Sequence, residues 1–384
     1  MNFDLDEQQQ MYQQMTRDFV DREIRPVVRQ LEHDGTYPTD IVDAMKKLGF
    51  FGITVPEVYG GLGLDTVSVA LVFEELSRGW MGIAGIIGSH SLSCRLISVY
   101  GTEEQRIRFL PDLATGTRRS GIGLTEPVAG SDLQGILTRA KLQGDTYLVN
   151  GTKTWITNAR HADPLPILVK TDPTAEPRHR GMSVLLVEAG TPGVSVTRDL
   201  GKLGYKGPES CEIVFDDAPI PTENLLGGVE GHGLQQVLSA LEIGRINVAA
   251  RSVGIAQEAL DLALRYSMER EAFGAPISKF QAVQLKLADL ATHVNAARLM
   301  TWWAATELDK ASRSDIATGM AKYFASEVAI SSALDAMRIH GAYGYSTEFD
   351  VERLYRDAPL MAIGEGTNDI LRTVIARGLL REVR

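Results

Sequence analysis

Little in the carboxy-terminal part of this chain, from Gly233 onward, would break a helix. Residues 234–268, 280–308, 316–340 and 370–380 are mostly free of proline and rich in Ala and Leu. Long helices with short connections favour an antiparallel bundle. The first part of the chain also reads as helical. Met11, Met15 and Phe19 recur at the helical step until Pro26 interrupts or kinks the pattern. A helix over residues 40–48 ends at Gly49, a suitable cap. After the turn-rich Val58-Tyr59-Gly60-Gly61-Leu62-Gly63-Leu64, helical character resumes over 66–76 and continues with short breaks to about Gly116.

Between these helical parts the pattern changes. From Gly121 to Phe215, β-type alternation and Gly, Pro and Asx turns replace helix signals. Residues 145–149 and 153–157, separated by Asn150-Gly151, predict a hairpin, because Asn-Gly accepts the two positive φ angles of a type I′ turn. Residues 182–187 and 212–215 read as further strands. The expected class is α+β, mainly α. A helical amino-terminal domain (1–118) precedes a central β domain (119–227) and a carboxy-terminal helical bundle (228–384).

Composition then excludes several functions. The 384 residues are 44% hydrophobic, enough for a sizeable core, and the net charge of −10 argues against a nucleic-acid partner. Cys94 and Cys211 form no disulfide framework or zinc pattern, which suits a reducing, cytoplasmic setting. The seven histidines include no metal-binding pair, so no metal site is expected. No uninterrupted apolar run is long enough to span a membrane, and no signal peptide is expected. Gly61-x-Gly63 lacks the third glycine of a dinucleotide fingerprint, with Thr66 in its place, and no nucleophile elbow occurs.

The tract Leu124-Thr125-Glu126-Pro127-Val128-Ala129-Gly130-Ser131-Asp132 resembles the flavin-binding signature of the acyl-CoA dehydrogenase family, as does Trp155-Ile156-Thr157-Asn158. The blocks around Leu48 to Gly61, Leu241-Glu242-Ile243-Gly244-Arg245, Arg270-x-x-Phe273-Gly274, Ile339-His340-Gly341 and Glu365-Gly366-Thr367 follow in that family's order. The resemblance runs nearly end to end. It implies a helical amino-terminal domain, a central β-barrel-like domain and a carboxy-terminal four-helix bundle. It further implies FAD as cofactor, an acyl-CoA substrate, a homotetramer built as a dimer of dimers, and electron-transfer flavoprotein as the electron acceptor.

Roles carried by the resemblance fall on particular residues. Leu124, through its backbone, and Thr125 would meet the flavin ring edge. Gly130 and Ser131 would allow approach of the pyrophosphate and the pantetheine arm. Trp155 and Thr157, two apart on one strand face, would pack on the ring and bond near N5, although most strand tryptophans are ordinary core. Arg270, Phe273 and Gln281 would contact the nucleotide, Arg270 from a neighbouring subunit, although its local context is that of a solvated helix end. Arg338, standing where glutamine is usual, Gly341, Thr367 and Asp369 complete the expected cofactor set.

Glu365 would be the base that takes the thioester α-proton while the β-hydride passes to the flavin, with Gly366 beside the substrate. Its local context alone is an acid before a helix that Thr367 could cap. That setting would lower its pKa until substrate strips away water. Glu242 is a rival carboxylate, but the family's relocated base falls at Gly244. Glu242 and Arg245 are expected to shape the substrate pocket or to form an ordinary i, i+3 ion pair. Gly364 replaces a common tyrosine, which opens space for a branched acyl group. Gly85, Gly88 and Ser89 fall where the acyl tail is usually lined. Lys206 and Pro208 depart from the usual arginine and serine, which leaves open a substrate tethered to a carrier protein. A flavin oxidase or monooxygenase, and a non-catalytic acyl-binding scaffold, are the competing functions; an intact thioester base speaks against both.

Overall fold

The computed structural model describes residues 4–310 and 314–382. Its amino-terminal helices begin with α1 (Glu7–Phe19), where Asp6 and Gln9 form a reciprocal capping box. A short π-helical turn at Val20–Ile24 precedes Pro26, and α2 (Val28–Asp34) follows. α3 (Thr39–Lys47) ends before Gly49, whose φ of 76° supplies the left-handed cap expected there. α4 (Thr66–Tyr100) bends at Trp80, and α5 (Glu103–Thr115) ends at Gly116. One stretch of α4 is apolar enough to cross a membrane by composition. However, 78% of it is buried inside the molecule, so it is spent on the core.

The middle of the chain forms β1 (Arg139–Gln143), β2 (Thr146–Thr157), β3 (Leu165–Lys170), β4 (Met182–Val187), β5 (Val194–Asp199) and β6 (Ser210–Pro221). They make one sheet in the order β4-β3-β1-β2-β6-β5, antiparallel except between β1 and β3. The hairpin expected at Asn150-Gly151 is absent. β2 runs straight through these residues, and the tight turn lies earlier, at Gly144-Asp145, with Gly144 at φ 63°. Asn150 instead marks a bulge, where its side chain exchanges hydrogen bonds with Asp217 of β6 (2.8 and 3.0 Å). A local turn signal loses here because β2 pairs along one edge with β1 and along the other with β6, far away in sequence.

The carboxy-terminal helices are α6 (Gly233–Glu269), α7 (Gln281–Lys310), α8 (Asp315–His340), α9 (Val351–Ile363) and α10 (Asn368–Glu382), with a small ribbon, β7 (Glu271–Ala272) and β8 (Ala275–Pro276), after α6. α8 packs on all four other helices of this domain. α9 was not expected, because Pro359 and several charges mask its pattern. Its buried Val351, Leu354, Ala358 and Met361 nevertheless keep the helical step. α4 and α6 pack side by side, joining a core shared with α1, α7 and α8. A second cluster fastens α4 and α5 to β3 and β4.

Candidate active site

Glu365 sits in the loop between α9 and α10. The backbone passes through the left-handed region at Glu365 (φ 55°) and Gly366 (φ 94°). A non-glycine residue there costs roughly 1–2 kcal/mol, so its surroundings must hold it. Lys322 reaches over from α8, its Nζ donating to the Gly366 carbonyl (2.8 Å) and to Asn368 Oδ1 (2.9 Å). Asn368 Nδ2 in turn donates to Ser326 Oγ (3.0 Å) and Glu327 Oε1 (2.7 Å). Thr367 caps α10 as expected, its Oγ1 accepting from the Ile370 N–H (3.4 Å). Burial pulls the Lys322 pKa down to about 8, against the attraction of Glu365.

Glu365 as a residue is only partly buried, yet its Oε2 is shut off from solvent and has no hydrogen-bond partner among the described residues. That oxygen lies over Gly244 of α6, where any Cβ would collide with it. Burial pushes the carboxyl up to about 7, opposed by Arg251, Lys322 and Arg245. The helix-start environment was expected to lower this pKa before substrate binds. In the folded chain burial already outweighs it.

The flavin-signature residues gather beside the sheet. Lys153 and Glu126 form a fully buried ion pair (2.8 Å) between β2 and the 124–131 loop. Lys153 Nζ also donates to the Leu124 carbonyl (3.1 Å), and the Thr154 N–H donates to the Thr125 carbonyl (2.9 Å). Glu126 further accepts from the N–H groups of Leu137 (2.6 Å) and Thr138 (3.0 Å). This staple places Leu124 and Thr125 next to Trp155. Trp155 stands at a bulge with φ 61° and is 55% exposed. Thr157 follows on the same side of the strand, partly buried. Gly130 and Ser131 are exposed, and a Cβ on Gly130 would meet only Thr125 Cγ2 (3.9 Å). An exposed indole held by a strained bulge beside open backbone fits a stacked isoalloxazine and its phosphates.

A phenol not singled out in the sequence joins this shelf to Glu365. Tyr205, also left-handed (φ 55°), is fixed by its N–H donating to Asp357 Oδ1 of α9 (2.6 Å). Burial raises its pKa, against Arg251 and the Thr157 hydroxyl, with Glu365 raising it further. Gly85 of α4 faces the Tyr205 hydroxyl and Gly88 faces the Asn247 amide, each without room for a Cβ. These close approaches bring α4 against Tyr205 and α6; Ser89 is partly buried beside them. Pro208 packs on Gly82 of α4. Lys206 is partly buried.

Glu242 and Arg245 do not form the expected i, i+3 ion pair. Glu242 Oε2 accepts from Ser314 N–H (2.9 Å) and Arg245 pairs with Asp315 (3.0 Å), so each grips the start of α8. Turning two helices toward one loop brings other partners closer than each residue's own neighbour.

The remaining expected cofactor residues lie elsewhere in the chain. Arg270 sits over the Tyr343 ring (6.0 Å), Phe273 is 97% exposed beside Phe280 (6.0 Å), and Gln281 opens α7 on the surface. Arg338 pairs with Asp335 (3.1 Å), and Gly341 (φ 62°) ends α8. Gly341 follows Lys322, under the Glu365 loop, by nineteen positions along α8, about 28 Å at the helical rise. Asp369 stands on the open face of α10 near Arg372 (3.9 Å).

Thr157 of the shelf and the Glu365 carboxyl both meet Tyr205, an arrangement that fits a flavin-dependent oxidoreductase. The domain order makes this more specific. Family models for the acyl-CoA dehydrogenase N-terminal, middle and C-terminal domains match residues 6–117, 121–218 and 231–380. The chain belongs to the acyl-CoA dehydrogenase family, whose members are FAD-dependent flavoproteins. It is similar to a probable acyl-CoA dehydrogenase of Bacillus subtilis, 43% identical over 99% of this chain and 100% of that one. A subunit of the caffeyl-CoA reductase–Etf complex of Acetobacterium woodii is 39% identical, over 98% and 99% of the two chains. The solved butyryl-CoA dehydrogenase of Megasphaera elsdenii superposes with a TM-score of 0.96 at 37% identity, covering 99% of this chain and all of that one.

Proposed function

We propose that this enzyme removes the α- and β-hydrogens of a short or branched acyl-CoA, with Glu365 taking the α-proton. The observation that carries this reading is the buried, partnerless Oε2 of Glu365 beside the flavin shelf. Leu124, Thr125, Gly130, Ser131, Trp155 and Thr157 would hold FAD, which when bound accepts the β-hydride. Glu365 and Gly366 would face the thioester. Glu242 and Arg245 act at one remove, by fixing α8 and through it Lys322. Gly364 meets only the Leu360 carbonyl (3.5 Å), so space for a branch exists next to the base. The Tyr205 hydroxyl packs on Gly85 and would leave little room for a long chain.

Gly341 lies about 28 Å along α8 from Lys322, and Arg270 sits over Tyr343 just beyond it. We assign Arg270, Phe273, Gln281, Arg338 and Gly341 to the FAD of a second copy. Exposed Met268, Phe273, Leu285, Ile363, Leu379 and Leu380 supply apolar surface for a homotetramer. Thr367 and Asp369 complete the cofactor set. Electron-transfer flavoprotein is the proposed acceptor, supported by the Etf-complex relative, and a cytoplasmic location fits the buried free Cys94 and Cys211.

Anaerobic titration with butyryl, isobutyryl, 2-methylbutyryl, isovaleryl and octanoyl thioesters, followed by flavin absorbance, tests the pocket. The short or branched thioesters should bleach fastest; a clear octanoyl preference overturns the assignment. The base also sets a pH dependence. Glu365 accepts a proton only when ionised, so kcat/KM should rise with pH and level off above about 7. Below that it should fall about tenfold per pH unit. A flat profile between about pH 5.5 and about 8.5 would remove Glu365 from the role.

A further inference from the structure

Near Glu365 lies a second charged group, Arg251, that the dehydrogenation does not use. Gly244, Asn247 and Arg251 follow one another at steps of three and four along α6, and so share one face. Gly244 underlies Glu365 Oε2. Arg251 lies two turns further on, about 10.5 Å along the axis, and a helical side chain leans back toward the amino terminus. Its guanidinium therefore points into the space that Glu365 and Tyr205 border.

Arg251 is 6% exposed. Its Nη2 contacts Met81 Sδ (2.6 Å), a weak acceptor, and the guanidinium lies 5.6 Å from the centre of the Tyr205 ring. Its Nε is buried with no acceptor. Among the described residues no carboxylate oxygen comes within 4.0 Å of it. Arg245, on the same helix, has Asp315 at 3.0 Å, and the mostly buried Arg298 has Glu74 at 2.9 Å. Glu365 attracts Arg251 through space but makes no ion pair with it within 4.0 Å, its Oε2 lying over Gly244. Nor is Tyr205 free to turn away, since Asp357 pins its backbone and Gly85 its hydroxyl. Asn247, between Gly244 and Arg251 on α6, also has a buried Oδ1 with no partner among the described residues. A buried guanidinium left in this state is unfavourable unless an anion meets it.

We propose that Arg251 receives a carboxylate at the far end of the acyl chain, so that the substrate is the monothioester of a short dicarboxylic acid. With the thioester α-carbon at Glu365, a short chain runs along the Gly244–Asn247–Arg251 face and ends at the guanidinium. The planar fork matches a carboxylate in two hydrogen bonds. A methyl-ended chain of the same length leaves the cation as it stands. This assignment rests on the dehydrogenase reading above and narrows its substrate.

The test compares glutaryl-CoA with valeryl-CoA, and succinyl-CoA with butyryl-CoA, on the FAD-loaded enzyme. The dicarboxylic member of each pair should lead in kcat/KM by roughly 30-fold or more. In Arg251→Gln that ratio should collapse toward one, and Arg251→Lys should restore part of it. Binding is measured separately by calorimetry in Glu365→Gln and in Glu365→Gln/Arg251→Gln, where turnover does not intervene. The ratio of the two dissociation constants should move by a similar factor. A parent enzyme that favours the monocarboxylic thioesters, or a binding ratio that Arg251→Gln does not shift, overturns the proposal. If no thioester bleaches the flavin while the binding ratio behaves as stated, the dehydrogenase reading fails and the carboxylate receptor stands.

Discussion

Glu365→Gln is expected to retain FAD and to lose thioester-dependent flavin bleaching by about 10²–10⁴-fold. The amide keeps the size and hydrogen-bonding reach of the side chain but cannot accept the α-proton. The same substitution should stabilise the fold, and the sign follows from burial. Folding raises this carboxyl from 4.5 to about 7, so the folded chain disfavours its ionised form. The stability tied to its neutral form is fully present below about pH 4.5 and is lost as pH rises through about 7. At ~1.36 kcal/mol per pH unit the loss approaches about 3 kcal/mol at pH 8. The variant should therefore melt higher than its parent at pH 8 and nearly with it at pH 4.5. An inactive variant with no pH-dependent gain would mean that Glu365 is not held in the buried, raised state. A variant that bleaches at the parental rate would remove it as the base.

The second large effect is expected at Lys153. Lys153→Met keeps an unbranched apolar side chain one atom shorter and removes the cation that faces Glu126, leaving a carboxylate buried with only the Leu137 and Thr138 N–H groups. Breaking one side of a buried pair typically costs about 3–5 kcal/mol. The melting temperature should fall, and FAD should be lost on desalting, because Lys153 also holds the Leu124 carbonyl. Adding Glu126→Gln should recover part of the stability, since removing both charges together leaves no unpaired ion. Thermal melts and the ratio of flavin to protein absorbance measure both effects. Full flavin content in a destabilised Lys153→Met would show that the pair braces the sheet without shaping the shelf.

The sequence and the structure agree where local pattern governs. The strand at residues 182–187 and the helix cap at Gly49 are both present. So is the Thr367 cap before α10. They disagree where a partner distant in sequence decides. Asn150-Gly151 is a bulge because β6 pairs along β2, and α9 forms around Pro359 because its apolar face is buried against α8 and α6. Lys153 and Glu126 lay within or beside recognised motifs, but no spacing rule pairs a loop carboxylate with a strand lysine 27 residues later. Tyr205 stood inside a tract noted only for Lys206 and Pro208. Arg251, Asn247 and Lys322 carried no sequence signal beyond helical position.

What the sequence determined by itself is the order of helix, sheet and helix, the flavin motifs in register, and the placing of Glu365 between two glycines before a capped helix. Periodicity, turn chemistry and motif spacing are properties of neighbouring residues, so they can be read along the chain. The tertiary structure alone decided the protonation of Glu365 and the company it keeps. Desolvation and unanswered charge depend on which helices meet: α6 supplies the bare backbone under the carboxylate, α8 the lysine that clamps its loop, and the end of the sheet the phenol beside it. By its position in sequence Glu365 is a helix-start acid. Once burial outweighs the cations around it, its carboxyl is held near neutral pH, where the proposed base has to titrate.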